Sequence, residues 1–268
     1  MPESLKELNQ ICQKPNYKTA GNWMVRHILR DAALPITWLL LHTNVTANQV
    51  TLASLIIGLI GVGILSVPTR SPFLIGTIFL QIWYLLDHVD GQIARYRKTA
   101  CLSGRFFDFL THHIIHGVIF FGLGVYCFRV TGAVLFVVWG FLTSMAMMVF
   151  NLLQDTKYKT FFERIVQDKN VSLVTRNKEV IPSQTEKQNQ LIRRGFSFLH
   201  KVCEIHVLMN ILTVAALLEI VLKLVFDLRL ILFLLYSFIV PLLAITKTSY
   251  LILTRGIDRE FEDLFASK

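Results

Sequence analysis

Apolar residues fall along this chain in long, nearly unbroken blocks, not in the short periodic stripes of a water-soluble domain. A helix needs about 20 such residues to cross the hydrocarbon core of a bilayer. Blocks of that order run at roughly 48–67, 72–92, 106–128, 131–153, 205–226 and 229–253. The pattern predicts an all-α integral membrane protein with six transmembrane helices. An earlier stretch, GNWMVRHILRDAALPITWLLLH at 21–42, is interrupted by Arg26, Arg30, Asp31 and Pro35. It reads as an amphipathic helix lying in the headgroup layer and not as a seventh span.

The polar positions divide the rest. Residues 1–20 form a polar tail without the apolar core of a cleavable signal. Residues 154–203 form a long, highly charged connection. Its ends, FFERIV at 161–166 and NQLIRRGFSFLHKV at 189–202, have helical amphipathic spacing, and its middle, about 168–188, is expected to be a mobile loop. The chain thus divides into a tail and interfacial helix at 1–42 and one six-helix domain at 43–268. No internal repeat of the kind that builds inverted-repeat transporters is visible, which weighs against a transporter using buried acids for cation coupling.

Composition agrees with the pattern: 53% of the 268 residues are hydrophobic, 20 are Phe, and only 17% are charged. The net charge of +9 would suggest nucleic acid in a soluble protein, but its distribution gives another account. With six spans and an inside N-terminus, 22 basic residues fall on one side, against 4 (Arg70, Arg129, Lys223 and Arg229) on the other. The positive-inside rule then assigns both termini to the cytoplasm, with some attraction to anionic lipid and no call for a nucleic-acid partner. The cysteines, Cys12, Cys101, Cys127 and Cys203, have no metal-binding spacing and read as free thiols.

Against this background one stretch stands out: DHVDGQIARYRKTACLSGRFFDFLTHH, Asp87 to His113. Asp87 and Asp90 lie at i and i+3 of the second span, with Ala94 one turn on, all on one face. Asp108, His112 and His116 lie at i, i+4 and i+8 of the third. The short loop between makes the two helices antiparallel neighbours whose polar faces can converge. Anions that close in apolar surroundings are costly, and a hard divalent cation with oxygen ligands is the common remedy. Small residues at Gly91, Ala94 and Gly104 keep space open. The competing reading is that the acids pair with Arg95, Arg97 or Arg105 at the membrane interface and that the small residues only allow close helix packing.

With its spacing, the stretch resembles the signature of the CDP-alcohol phosphotransferase family, D-x2-D-G-x2-A-R-x8-G-x3-D-x3-D. Asp87, Asp90, Gly91, Ala94, Arg95, Gly104 and Asp108 match it, seven of the eight fixed positions. The segment ANQVT (47–51) also looks like the Asn-x-x-Thr opening of the first span in that family. The resemblance implies transfer of a phosphoalcohol group from a CDP-linked donor to a hydroxyl acceptor, at least one of them a lipid, with release of CMP. It implies two Mg2+ or Mn2+ ions held by Asp87, Asp90 and Asp108. Asn48, Thr51, Gly91, Ala94, Arg95, Gly104 and Arg105 would lie around the donor, and a homodimer is a family expectation.

The eighth position departs from the signature: His112 stands where the family has the acid that acts as general base. An imidazole, with an ordinary pKa near 6.5, is a competent base for an alcohol proton but a poorer magnesium ligand than a carboxylate. His112 is therefore the candidate catalytic base. The alternative is a catalytically altered relative that binds nucleotide or metal. Of the other polar residues, His113 reads as packing or hydrogen-bonding locally, His116 as orienting His112, and His88 as interfacial or supporting. Lys247 and Glu219 read as snorkelling charges, with an anionic substrate as the functional alternative for Lys247.

Overall fold

Several helices begin where the sequence supplies a side-chain cap. In the computed structural model, which describes residues 4–13, 23–167, 171–173 and 198–267, α1 (Leu5–Cys12) opens on a capping box between Ser4 and Glu7. A π-helical stretch, Val25–Leu29, runs into α2 (Arg30–Leu41), which carries Pro35 inside it. Next come α3 (Ala47–Leu65), opened by a second capping box between Thr46 and Gln49, and α4 (Arg70–Tyr96). They are followed by α5 (Leu102–Thr131) and α6 (Leu135–Gln167), then α7 (Ile205–Val221), α8 (Leu228–Leu253) and α9 (Gly256–Leu264). Strands β1 (Val171–Leu173) and β2 (Phe265–Ser267) pair antiparallel, Val171 opposite Ser267. Among the described residues the other regular elements are helical, as the apolar blocks predict.

Among the described residues five helices, α3 to α6 and α8, are long and apolar enough to cross a membrane. The sixth expected span is shorter than its apolar block: α7 has 17 residues, about 25 Å at 1.5 Å per residue. The chain leaves the helix at Leu222, and Lys223 takes a left-handed backbone (φ 47°), although Val225 and Phe226 continue the apolar run. In the opposite sense, α6 is 33 residues long, about 50 Å. Residues 154–167, expected to belong to the charged connection, are thus its continuation, and FFERIV lies within it. Of NQLIRRGFSFLHKV only 198–202 falls among the described residues, and it is helical. The expected mobile loop lies outside them except for β1.

Small residues set the helix crossings. A Cβ on Gly76 would lie 2.8 Å from the Gly61 carbonyl oxygen, and one on Gly124 2.6 Å from that of Phe136. The α3–α4 and α5–α6 backbones are therefore in near contact. On this frame α4 and α5 are central. Helix α4 packs against α3 on one side and α7 on the other, and α5 packs against α3 and α6. Helices α1 and α2 lie over the C-terminal end of α4. Thr37 Oγ1 donates to Gln92 Oε1 at 2.6 Å, Gln92 Nε2 donates to the Arg30 carbonyl at 3.0 Å, and the Arg95 guanidinium donates to the Cys12 carbonyl.

Candidate active site

The end of α4 and the start of α5 bring the motif together. Cys101 caps α5, its sulfur accepting from the Gly104 N–H at 3.4 Å, which fixes the register in which Asp108, His112 and His116 share a face. Asp87 Oδ1 accepts from His112 Nε2 at 2.8 Å, and Asp108 Oδ1 lies 3.4 Å from the same nitrogen. Ligand atoms of Asp87, Asp108 and His112 all lie within 4.8 Å of one another, a set that can hold a metal ion. Asp90 is buried and turns toward α3, where Thr51 Oγ1 donates to its Oδ2 at 2.5 Å.

Two cavities meet here. The larger, about 370 Å³, lies between α3, α4 and α5, and its lining includes Asn48, Thr51, Asp90, Gly91, Ala94, Arg95, Gly104, Arg105 and Asp108. The smaller, about 150 Å³, lies under α1 and α2 and contains Asp87, His88, Asp90, Arg95 and Asp108. Every candidate position except His112 therefore borders one or both. Small side chains keep this space: a Cβ on Gly91 would come within 3.1 Å of Arg95 Nη1, at the edge of both cavities.

The competing interfacial-pairing reading does not describe Arg95 and Arg97. Arg95 donates to the Cys12 carbonyl, and Arg97 donates to the Val45 and Thr43 carbonyls at 2.5 and 2.6 Å, clamping the strand of chain that leads into α3. Arg105 is exposed at the rim of the larger cavity.

The donor set suits a divalent cation. Asp108 Oδ1 is shielded from solvent and accepts no hydrogen bond, an expensive state for a carboxylate unless a cation faces it. The two carboxylates supply oxygens of the kind that magnesium and manganese take, and the imidazole nitrogen is the poorer ligand of the three.

The other histidines divide by role. His88 Nδ1 donates to the Tyr84 carbonyl at 2.9 Å and lies 3.5 Å from Asp87. His113 leaves the site: its Nε2 donates to Asp155 of α6 at 2.7 Å. His116 lies one turn beyond His112, ring centroids 6.4 Å apart, and its Nδ1 meets the side-chain amide of Asn151 at 2.6 Å. Lys247 and Glu219, the other two charges within apolar blocks that the sequence singled out, both meet groups of the protein. Lys247 lies 4.4 Å over the Phe150 ring, and Glu219 is buried, accepting from the Leu228 N–H at 2.6 Å.

Sequence reasoning passed over Asn151 and Asp155. The available signal was polarity: an amide inside an apolar block is a rarity that asks for a partner. It could not name the partner, 35 residues away.

Residues 44–174 match the family model for CDP-alcohol phosphatidyltransferases. The resemblance carried by the motif is borne out over the segment that contains it, α3 through α6. The family's chemistry is that of a transferase drawing on a CDP-alcohol, and every residue of the two cavities on α3, α4 and α5 lies inside the match. None of the curated proteins compared matches the chain.

Proposed function

We propose that this protein transfers a phosphoalcohol group from a CDP-linked donor to the hydroxyl of an acceptor at the cytoplasmic face of a membrane, releasing CMP. At least one substrate is a lipid, and the product is a phospholipid or a related phosphodiester. The observation that carries this reading is the convergence of the seven matched motif residues on two adjoining cavities, one of nucleotide size. The cytoplasmic orientation is supported by the basic residues gathered on the motif's side in the six-span reading.

In this reading the cytidine end lies in the larger cavity beside Asn48 and Thr51, and Arg95 and Arg105 add positive charge at the phosphates. Asp87, Asp90 and Asp108 hold two Mg2+ or Mn2+ ions, which when bound neutralise the diphosphate and the departing CMP. The acceptor oxygen forms a bond to the phosphorus that bears the donor's alcohol, and the bond from that phosphorus to the oxygen bridging to CMP breaks. His112 takes the acceptor's proton. Its Nε2–H is given to Asp87, so the lone pair open to that proton is on Nδ1, with Asp87 fixing the tautomer.

One observation favours a second reading, a non-catalytic relative. The imidazole already sits between Asp87 and Asp108, where a cation would otherwise face them. A single assay separates the two. The purified protein is given divalent metal and a panel of donors, CDP-diacylglycerol with soluble alcohols and small CDP-alcohols with diacylglycerol, and CMP is measured. The enzyme reading requires release that the Asp90→Ala variant lacks. Absence of release across the panel with Mg2+ and Mn2+ favours the relative.

A further inference from the structure

The side of the site away from α3 holds a group that the reaction as described does not use. Asn151, on α6, presents its amide nitrogen to His116 Nδ1 at 2.6 Å. An amide N–H donates, so Nδ1 accepts, and the imidazole is held as the neutral tautomer with its proton on Nε2. That Nε2–H is shielded from solvent and has no hydrogen-bond partner. A buried donor left without an acceptor costs the full loss of its hydration, and such a group in a folded protein calls for an explanation.

The direction of the chemistry supplies one. Displacement at phosphorus is in line, so the incoming oxygen approaches opposite the departing group. The nucleotide cavity lies on the α3 side of α4 and α5, which sends the acceptor to the other side, where α4 and α5 face α7 and α6. His112 borders neither cavity and touches Trp83 at 5.2 Å between ring centroids. His116 is one turn along the same face, with Asn151 behind it.

We infer that His116 Nε2–H, oriented by Asn151, binds an oxygen of the acceptor alcohol and so forms the acceptor subsite. This rests on the phosphotransferase reading above. His116 touches the substrate; Asn151 is a positioning residue that acts through it. The subsite selects for an uncharged oxygen acceptor, a hydroxyl or a carbonyl beside it, because a neutral imidazole offers one N–H and no charge. Such an oxygen can belong to a water-soluble polyol or to the glycerol portion of a diacylglycerol.

The experiment is steady-state kinetics on the full chain in detergent or nanodiscs, with KM for donor and acceptor measured separately. It uses whichever of two pairs supports CMP release: CDP-diacylglycerol with a soluble polyol, or a small CDP-alcohol with diacylglycerol. His116→Ala is expected to raise the acceptor KM about tenfold, the value of one lost hydrogen bond, and to leave the donor KM unchanged. Asn151→Leu removes the donor that holds the tautomer and should raise the acceptor KM in the same direction, by less than His116→Ala. His116→Gln, which returns an N–H at similar reach, should recover the acceptor KM.

A merely structural role would move both KM values together or lower kcat alone, and either result overturns the inference. An unchanged acceptor KM in folded Asn151→Leu does so too. Failure of the parent reading looks different: wild type releases no CMP from either pair, and the inference falls with it. Which pair works identifies the source of the acceptor oxygen.

Discussion

The two ends of the helix bundle both bury charge, and they use it differently. At the end away from the motif, Arg229 is 1% exposed. It donates to the carbonyls of Leu65 and Val67 at 2.7 and 2.8 Å and of Thr69 at 2.7 Å, between the rings of Phe73 and Tyr126. Glu219 accepts from the N–H groups of Leu228 and Arg229, and Asp227 accepts from the Leu230 N–H and the Tyr126 hydroxyl. There the charges tie the α3–α4 and α7–α8 turns together, and among their hydrogen-bonding atoms only Arg229 Nε lacks a partner. At the motif end the acids face one another and an imidazole, Asp108 Oδ1 and His116 Nε2 make no hydrogen bond, and cavities open beside the acids. Charge that serves the fold is satisfied by the backbone. Charge that serves chemistry is left with capacity to spare.

The strongest way to break this contrast is to delete a charge from each end and compare activity with stability. Asp90→Ala should lower CMP release by about 10³-fold or more, on the scale of losing a group that holds the catalytic metal. It should leave the melting temperature unchanged or raise it. Asp90 lies close to two other acids, and Thr51 keeps a second bond to the Ala47 carbonyl at 3.1 Å. His112→Ala should lower turnover by about 10²–10⁴-fold with little change in donor affinity, and His112→Asp, which restores the signature, should keep activity. Full activity in His112→Ala would move the base elsewhere.

Arg229→Met should do the reverse. It strands three backbone carbonyls and takes the positive charge away from Asp227 and Glu219, and breaking a buried charge cluster costs about 3–5 kcal/mol, read as a lower midpoint of thermal unfolding in detergent. Turnover per folded molecule should stay near that of wild type. If Arg229→Met instead abolished catalysis at full stability, or Asp90→Ala unfolded the protein, the division of labour between the two ends would be wrong.

How much of this the sequence carries depends on how local each contact is. The motif is legible because its geometry is written in helical spacing: i, i+3 for Asp87 and Asp90, and i, i+4 for Asp108 and His112. Its partners are not, because they come from afar: Thr51 reaches Asp90 across 39 residues, and Asn151 reaches His116 across 35. Glu219 looked like a snorkelling charge because hydropathy does not reveal that a turn will fold back to meet it. Helix ends went astray for a similar reason. Hydrophobicity continued through Val225 and Phe226 while the backbone had already turned at Lys223. At the end of α6, polarity began while the helix ran on to Gln167. Helices α1 and α9, of 8 and 9 residues, are too short to register against the apolar blocks.

The smallest expected effect is also the one that reports on the nucleotide cavity without requiring turnover. Of the four cysteines, Cys12, Cys127 and Cys203 are buried and Cys101 is exposed. Burial pushes the Cys12 thiol up to about 11, against the pull of nearby Arg95, and the Cys203 thiol up to about 11. The thiolate is the reactive form, so at pH 7.5 a maleimide should label Cys101 and spare these two. Cys101 lines the larger cavity together with Ala94, Gly104 and Arg105. CMP with Mn2+ should therefore slow its labelling by a few-fold, in proportion to occupancy, with the effect largely lost in Asp90→Ala. Labelling that is insensitive to nucleotide in wild type would remove the larger cavity as the cytidine site, whatever the assays of turnover showed. Equal protection in wild type and Asp90→Ala would keep the cavity but separate nucleotide binding from the acids, and the contrast between the two ends would then rest on chemistry alone.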